Sequence, residues 1–246
     1  MNSFAAHGIT HLSPSSCNQW AASPATFVLT RLLKRSSSVG AAAHRGTAVE
    51  DGIATGLRDP AASLSDCVKV ALDRFETLTA LSGDPKLEKE RDAIPGFVEF
   101  GLRELKPYGV PTGMQGRVEL KFEGLEVPVM GYYDFRFGDI IVDLKTSHSL
   151  ASKISTSHAR QVALYAAAER AEGRVAYVTS KKTAVYKLEN SEQHLKSLAN
   201  IALSIQKFLS ISTDPKELAQ FVSPDIDSFY FSDPLVRQAA FEVWGV

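Results

Sequence analysis

Residues 131–146, GYYDFRFGDIIVDLKT, carry the densest signal in the chain. Two runs rich in aromatic and β-branched residues flank Gly138-Asp139, which reads as a tight turn between two antiparallel strands. Asp134 lies near the end of the first strand. Asp143 and Lys145 lie near the end of the second, two apart and therefore on one face. Pairing through the turn brings Asp134 and Asp143 near each other across the ladder. Two carboxylates that close repel unless a hard divalent cation lies between them. An ammonium beside such a cation can position a water or offset charge building on a phosphate. The plain alternative is a surface hairpin with its charges in water. Against it, Ile140, Ile141, Val142 and Leu144 make the second strand apolar on both faces, the pattern of a covered central strand.

Outward from this hairpin, GRVELKF (116–122), EVPVMGYYDFRF (126–137) and DIIVDLK (139–145) read as a three-stranded antiparallel meander. A helix is expected over about 155–172. Strands follow at about 174–179 and 183–188 around the basic turn Ser180-Lys181-Lys182. A long amphipathic helix is expected at about 191–210, with Leu195, Leu198, Ile201, Leu203, Ile205 and Phe208 as its core face. Upstream, Ser23-Pro24 opens a helix ending at Lys34 and Arg35. Further helices are expected at about 41–57, 64–80 and 86–106. The helix at 41–57 is rich in small residues that admit another backbone closely, and the helix at 64–80 carries the stripe Val68, Leu72, Phe75, Leu78. The tail holds the Pro/Asp-rich stretch SPDIDSFYFSDP and a short helix to Trp244. The layout is mixed α/β with a helical N-terminal region.

Composition sets the outer limits. The 246 residues are 44% hydrophobic and 22% charged, ordinary for a globular chain. Lys and Arg total 27 against 28 Asp and Glu, a net charge of −1, which excludes a polybasic protein and leaves any anion-binding surface as a local patch. No apolar run approaches the roughly 20 residues of a membrane span. The opening residues lack a basic segment followed by an apolar one, so the expected location is cytoplasmic. Cys17 and Cys67 are the two cysteines, too few for a disulfide framework or a four-thiolate cluster. No G-x-x-x-x-G-K-S/T pattern occurs, so no ATP site is expected.

The stretch GYYD followed by DLKT resembles the core motif of the PD-(D/E)XK nuclease superfamily, and more closely its RecB-type branch. Three further pieces occur in that branch's order. HLSPSS at 11–16 resembles its L-S-x-S element, RGTAVE at 45–50 its G-x-x-x-H/E helix motif, and QVALY at 161–165 its Q-x-x-x-Y motif. The resemblance implies a restriction-endonuclease-like αβββαβ core with a mixed sheet. It implies a single nuclease domain over 1–246: a mostly helical part (1–113) carrying Glu50, the catalytic sheet core (114–190) and C-terminal helices (191–246). It also implies Mg2+ or Mn2+ held by Asp134, Asp143, Glu50 and the Leu144 carbonyl, with Lys145 orienting the attacking water. Gln161 and Tyr165, four apart on one helix face, complete the implied catalytic set. The branch's iron–sulfur cluster is not expected here.

The resemblance points to a metal-dependent exonuclease acting on DNA with a free end, of a stand-alone, phage-like kind used in recombination, repair or replication. A single-strand-binding or recombination protein would be its natural companion. An endonuclease on the same fold, or a non-catalytic nucleic-acid-binding protein on a nuclease scaffold, are the alternatives. Candidate phosphate contacts are Arg31, Lys34, Arg35, His44 and Arg45 around the Glu50 helix, and Lys181, Lys182 and Lys187 on the later hairpin. Phe229, Tyr230 and Phe231 either stack on bases or pin the tail. Glu119, Thr146 and Ser147 are minor candidates.

Overall fold

The structure, a computed structural model, describes residues 2–246. The helices in chain order are α1 (Pro14–Ala22), α2 (Pro24–Phe27), α3 (Ala41–Arg58), α4 (Leu64–Thr79), α5 (Leu87–Leu105), α6 (Thr156–Glu169), α7 (Ser191–Leu209), α8 (Pro215–Ala219) and α9 (Pro234–Trp244). The strands are β1 (Gly113–Leu120), β2 (Val129–Phe137), β3 (Ile140–Thr146), β4 (Glu172–Val178) and β5 (Thr183–Lys187). They form one sheet in the order β1-β2-β3-β4-β5. β2 and β3 are antiparallel with Phe135 opposite Val142 and Phe137 opposite Ile140. β3 and β4 are parallel, so α6 serves as the crossover that parallel neighbours require. β4 and β5 are antiparallel. The sheet is therefore mixed, behind a helical N-terminal region.

The chain divides into two compact units, one of residues 2–38, 118–131 and 190–246, the other of residues 39–117 and 132–189. In the second unit, β3 is buried from Ile141 to Leu144, as its apolar run requires. Gly138 makes the β2–β3 turn with φ +61°, a left-handed conformation that glycine adopts without strain. α3, α4 and α5 share a core with this sheet: Val49, Ile53 and Leu57 meet Ala71, Phe75, Phe97, Val98 and Leu102, with Phe135, Val142 and Val178 from the strands. The small residues of α3 serve that packing. A β-carbon at Gly52 would lie 2.7 Å from the Cys67 carbonyl oxygen, so α4 approaches where no side chain fits. The buried line on α4 is Cys67, Ala71 and Phe75, with Val68, Leu72 and Leu78 half-buried beside it. The N-cap of α3 is Gly40, which has no capping side chain; Asp84 Oδ2 accepts from the Ala41 amide at 2.8 Å instead.

In the first unit, Ser13 and Ser16 form a reciprocal capping box that starts α1, a helix absent from the sequence reading because PSSCNQWAA has no apolar stripe. The helix expected from Ser23 to Arg35 forms as α2 and then widens into a π turn over Val28–Leu32. β2 starts at Val129 rather than 126. Pro128 has no amide hydrogen for a ladder, and its carbonyl accepts from Leu12 instead, at 3.0 Å. Ala25, Leu29, Phe231, Val236 and Ala240 form a core that ties the tail to α2 and the π turn. Phe231 is thus a pin, whereas Phe229 and Tyr230 are exposed.

A candidate active site on the second unit

The site grows from the C-terminal end of β3. Asp134 lies one position beyond the last β2–β3 pair, and there its side chain takes over the ladder: Oδ2 accepts from the Leu144 amide at 2.6 Å. Gln115 Nε2 adds a long contact to Oδ1 at 3.4 Å. Asp143 is 0% exposed, and neither of its carboxylate oxygens accepts a hydrogen bond. Lys145 Nζ stands 2.8 Å from Asp143 Oδ2 as an ion pair, outside hydrogen-bond alignment. A buried carboxylate with both oxygens unsatisfied is costly, and one lysine does not fill its capacity of about four acceptor sites.

The neighbouring acids add to that cost. Burial, then the charges of Asp143 and Glu50, push Asp134 well above the usual carboxylate range, against the opposing pull of Lys145 and the Leu144 amide. Glu50 enters from α3. Burial first, then Asp51 and Asp143, raise its carboxyl to about 7. Burial alone would lower the Lys145 ammonium; the charges of Asp143 and Asp134 outweigh it and hold that group above the usual lysine value. Lys145 is therefore a fixed cation, and Asp134 and Glu50 resist ionising beside Asp143 for want of further positive charge.

That imbalance fits a divalent cation. Hard cations take carboxylate and carbonyl oxygens, and Asp143 presents two buried oxygens whose ion-pair partner is Lys145, at Oδ2. Asp134, Glu50 and the Leu144 carbonyl are the further donors available from β2, α3 and β3. Among the described residues, no three His, Cys, Asp or Glu side chains converge as a ready-made ion cage. The fit rests on the orphaned oxygens and the shared charge.

α6 covers the same region. Gln161 Nε2 donates to Tyr165 Oη at 2.8 Å. Tyr165 is 2% exposed, and burial followed by the Asp143 charge raises its hydroxyl above the usual tyrosine value, so it stays a neutral donor.

The PD-(D/E)XK nuclease superfamily model matches residues 11–229. The chain belongs to that superfamily. Its members are nucleases, hydrolases of phosphodiester bonds, and they generally use divalent metals such as Mg2+. No curated protein matches the chain. The crystal structure of SSO0001 is similar at 18% identity, over 65% of this chain and 85% of its own, with a TM-score of 0.34. Membership of a nuclease superfamily implies a nucleic-acid substrate. Among the described residues, no helix is long and apolar enough to cross a membrane.

One part of this candidate site escaped the sequence. Arg45, expected as a phosphate contact, is 3% exposed and pairs with Glu90, which is equally buried. Its guanidinium lies over Phe97, 4.5 Å from the ring centre, and donates to the Thr146 carbonyl at 3.2 Å and hydroxyl at 3.3 Å. His148 Nε2 is 3.0 and 2.9 Å from the two Glu90 oxygens. Toward Glu90, which only accepts, Nε2 acts as the donor; Arg45 Nη1, itself only a donor, also lies 3.1 Å from it. Arg45 thus braces the residue next to Lys145 rather than touching DNA. Of the other basic candidates, Arg35 pairs with Glu242 and Lys187 with Glu172, while Lys34, Lys181 and Lys182 are exposed. Glu119 is exposed on β1.

Proposed function

We propose that this protein is an Mg2+- or Mn2+-dependent DNA exonuclease of the RecB type, hydrolysing phosphodiester bonds from a free end. The observation that carries the reading is Asp143: fully buried, with two unsatisfied oxygens and a lysine at 2.8 Å. Asp143, Asp134, Glu50 and the Leu144 carbonyl are the proposed ligands. A bound divalent cation supplies Lewis-acid polarisation of the phosphate and a more acidic water. Lys145 orients the attacking water and offsets the negative charge that grows on the phosphate as the new P–O bond forms and the bond to the leaving sugar oxygen breaks. Gln161 and Tyr165 present neutral donors toward the substrate from α6.

End dependence is supported by the order of the four RecB-type motifs and by α3, which holds Glu50 against the sheet as part of a wall. A role in recombination, repair or replication, phage-encoded and alongside a single-strand-binding or recombination protein, accords with that resemblance. The deciding experiment is digestion of end-labelled linear DNA and covalently closed circles at matched mass, with Mg2+, Mn2+ or EDTA. Loss of linear DNA from its ends, intact circles and silence in EDTA are expected. Circles nicked as fast as linear DNA disappears would make the protein an endonuclease, and no cleavage under any metal would leave a binding protein.

A further inference from the structure

His158 lies on α6 three residues before Gln161 and seven before Tyr165, a spacing that puts all three on one helix face. Its surroundings fix which ring nitrogen bears hydrogen. The Ser155 amide donates to Tyr177 Oη at 3.2 Å, and that hydroxyl is 2.8 Å from His158 Nδ1. Tyr177 is 4% exposed, so its hydroxyl hydrogen needs an acceptor inside the protein. The Ser155 amide only donates, so the hydrogen goes to Nδ1. A neutral imidazole that accepts at Nδ1 carries its hydrogen on Nε2.

Tyr177 is the β4 partner of Lys145 in the parallel register, and Val175 that of Asp143. Tyr177, Lys145 and Asp143 therefore share one face of the sheet, with the His158–Tyr177 pair at the level of Lys145. A second contact anchors the pair: Tyr177 packs edge-on against Tyr186, whose hydroxyl donates to the Ala151 carbonyl at 3.0 Å. Burial, and then the Lys145 charge, hold the His158 ring below the usual histidine value against the pull of Asp143, so the ring is neutral at pH 7 and within range of both charges.

We propose that His158 is a further catalytic residue, its Nε2–H donating a hydrogen bond to a non-bridging oxygen of the scissile phosphate beside Lys145, with Tyr177 holding the required tautomer. The inference rests on the nuclease reading and adds to it a neutral donor that tolerates the cationic lysine next to it. A second cation there would be disfavoured by Lys145; a neutral N–H is not.

The test uses the full chain with a linear duplex oligonucleotide and Mg2+, or Mn2+ where that supports turnover. His158→Ala is expected to lower kcat by about 10²-fold, the loss typical of one transition-state donor, with KM for DNA within about threefold. His158→Gln, which keeps an N–H donor, is expected to recover part of that loss. Tyr177→Phe is expected to lower kcat by less. In histidine-labelled 15N spectra it should also convert a single Nε2–H tautomer signal at His158 into a mixed one, a change that a purely structural role would not produce. Thermal unfolding of each variant separates folding loss from catalytic loss. An active wild type with unaltered kcat in His158→Ala overturns this inference alone, as does an Nδ1–H tautomer in the wild-type spectrum. A wild type without metal-dependent cleavage overturns the nuclease reading and this inference with it.

Discussion

Replacing Glu90 with glutamine removes one charge from a pair in which both side chains are almost fully buried, 3% and 4% exposed. Shape is kept, yet Arg45 is left as a buried cation with no counterion. His148 loses the carboxylate that receives its Nε2 hydrogen. Breaking a buried pair by removing one partner costs about 3–5 kcal/mol. The glutamine oxygen still accepts one hydrogen bond, which sets the expected loss near the lower end, about 3 kcal/mol. For a chain of this length that corresponds to a melting temperature lower by about 6–12 °C. The companion variant Arg45→Met/Glu90→Leu removes both charges and is expected to be more stable than Glu90→Gln. Urea unfolding of the wild type, Arg45→Met, Glu90→Leu and the double yields the coupling energy. Acid adds a sign. Burial would raise the Glu90 carboxyl, but the His148 hydrogen bond and the Arg45 charge outweigh it and hold it below its ordinary value of 4.5. A depressed carboxyl contributes its stability above that ordinary value and loses it as pH falls through the lower folded value. The gap between wild type and Glu90→Gln should therefore narrow in acid. A Glu90→Gln protein within about 0.5 kcal/mol of wild type at pH 7 would refute the argument, since losses that small belong to surface sites.

Asp143→Asn should abolish cleavage while the protein stays folded, because it removes ligand charge at nearly constant shape; circular dichroism and a DNA digestion read the two separately. Lys145→Ala should cut kcat by about 10²–10³-fold while DNA binding holds, and equal losses in binding and turnover would make Lys145 an anchor instead. Glu50→Ala should raise the Mg2+ concentration needed for half-maximal activity, with Glu50→His retaining part of the function; a metal titration unchanged in both variants would remove Glu50 from the site. Gly52→Ala should destabilise by about 1–3 kcal/mol in urea, because its β-carbon would meet the Cys67 carbonyl oxygen at 2.7 Å and backbone cannot step aside.

The strands and the long helices were legible because each is a local pattern. Ile140 to Leu144 announces a covered strand, and the residues around Gly138-Asp139 announce the turn. α1 was not, since its start depends on two serines exchanging hydrogen bonds and its sequence has no apolar face to betray it. The site divides the same way. Asp134, Asp143 and Lys145 lie within twelve residues of one another and their register follows from the turn. Arg45 read as a surface cation because its partner, Glu90, is forty-five residues away on another helix. His158 and Tyr177 were missed for a similar reason: a tautomer is set by a hydroxyl nineteen residues on, across a helix–sheet contact. A histidine three residues before the Q-x-x-x-Y motif was the available clue.

The interleaving of the two units has a consequence for biosynthesis. Every residue of the carboxylate site, and of the helices and strands that hold it, has been translated by position 189, whereas the other unit needs segments from the beginning, the middle and the end of the chain. At about 5–20 residues per second, residues 190–246 keep the ribosome occupied for several seconds more. Throughout that interval residues 2–38 and 118–131 have been made but lack the third segment of their unit. Ala25 and Leu29 must then wait for Phe231, Val236 and Ala240, with which they form a core. The nascent protein thus holds every segment of the unit with Asp143 while the apolar surface of the other unit is still open to chaperones.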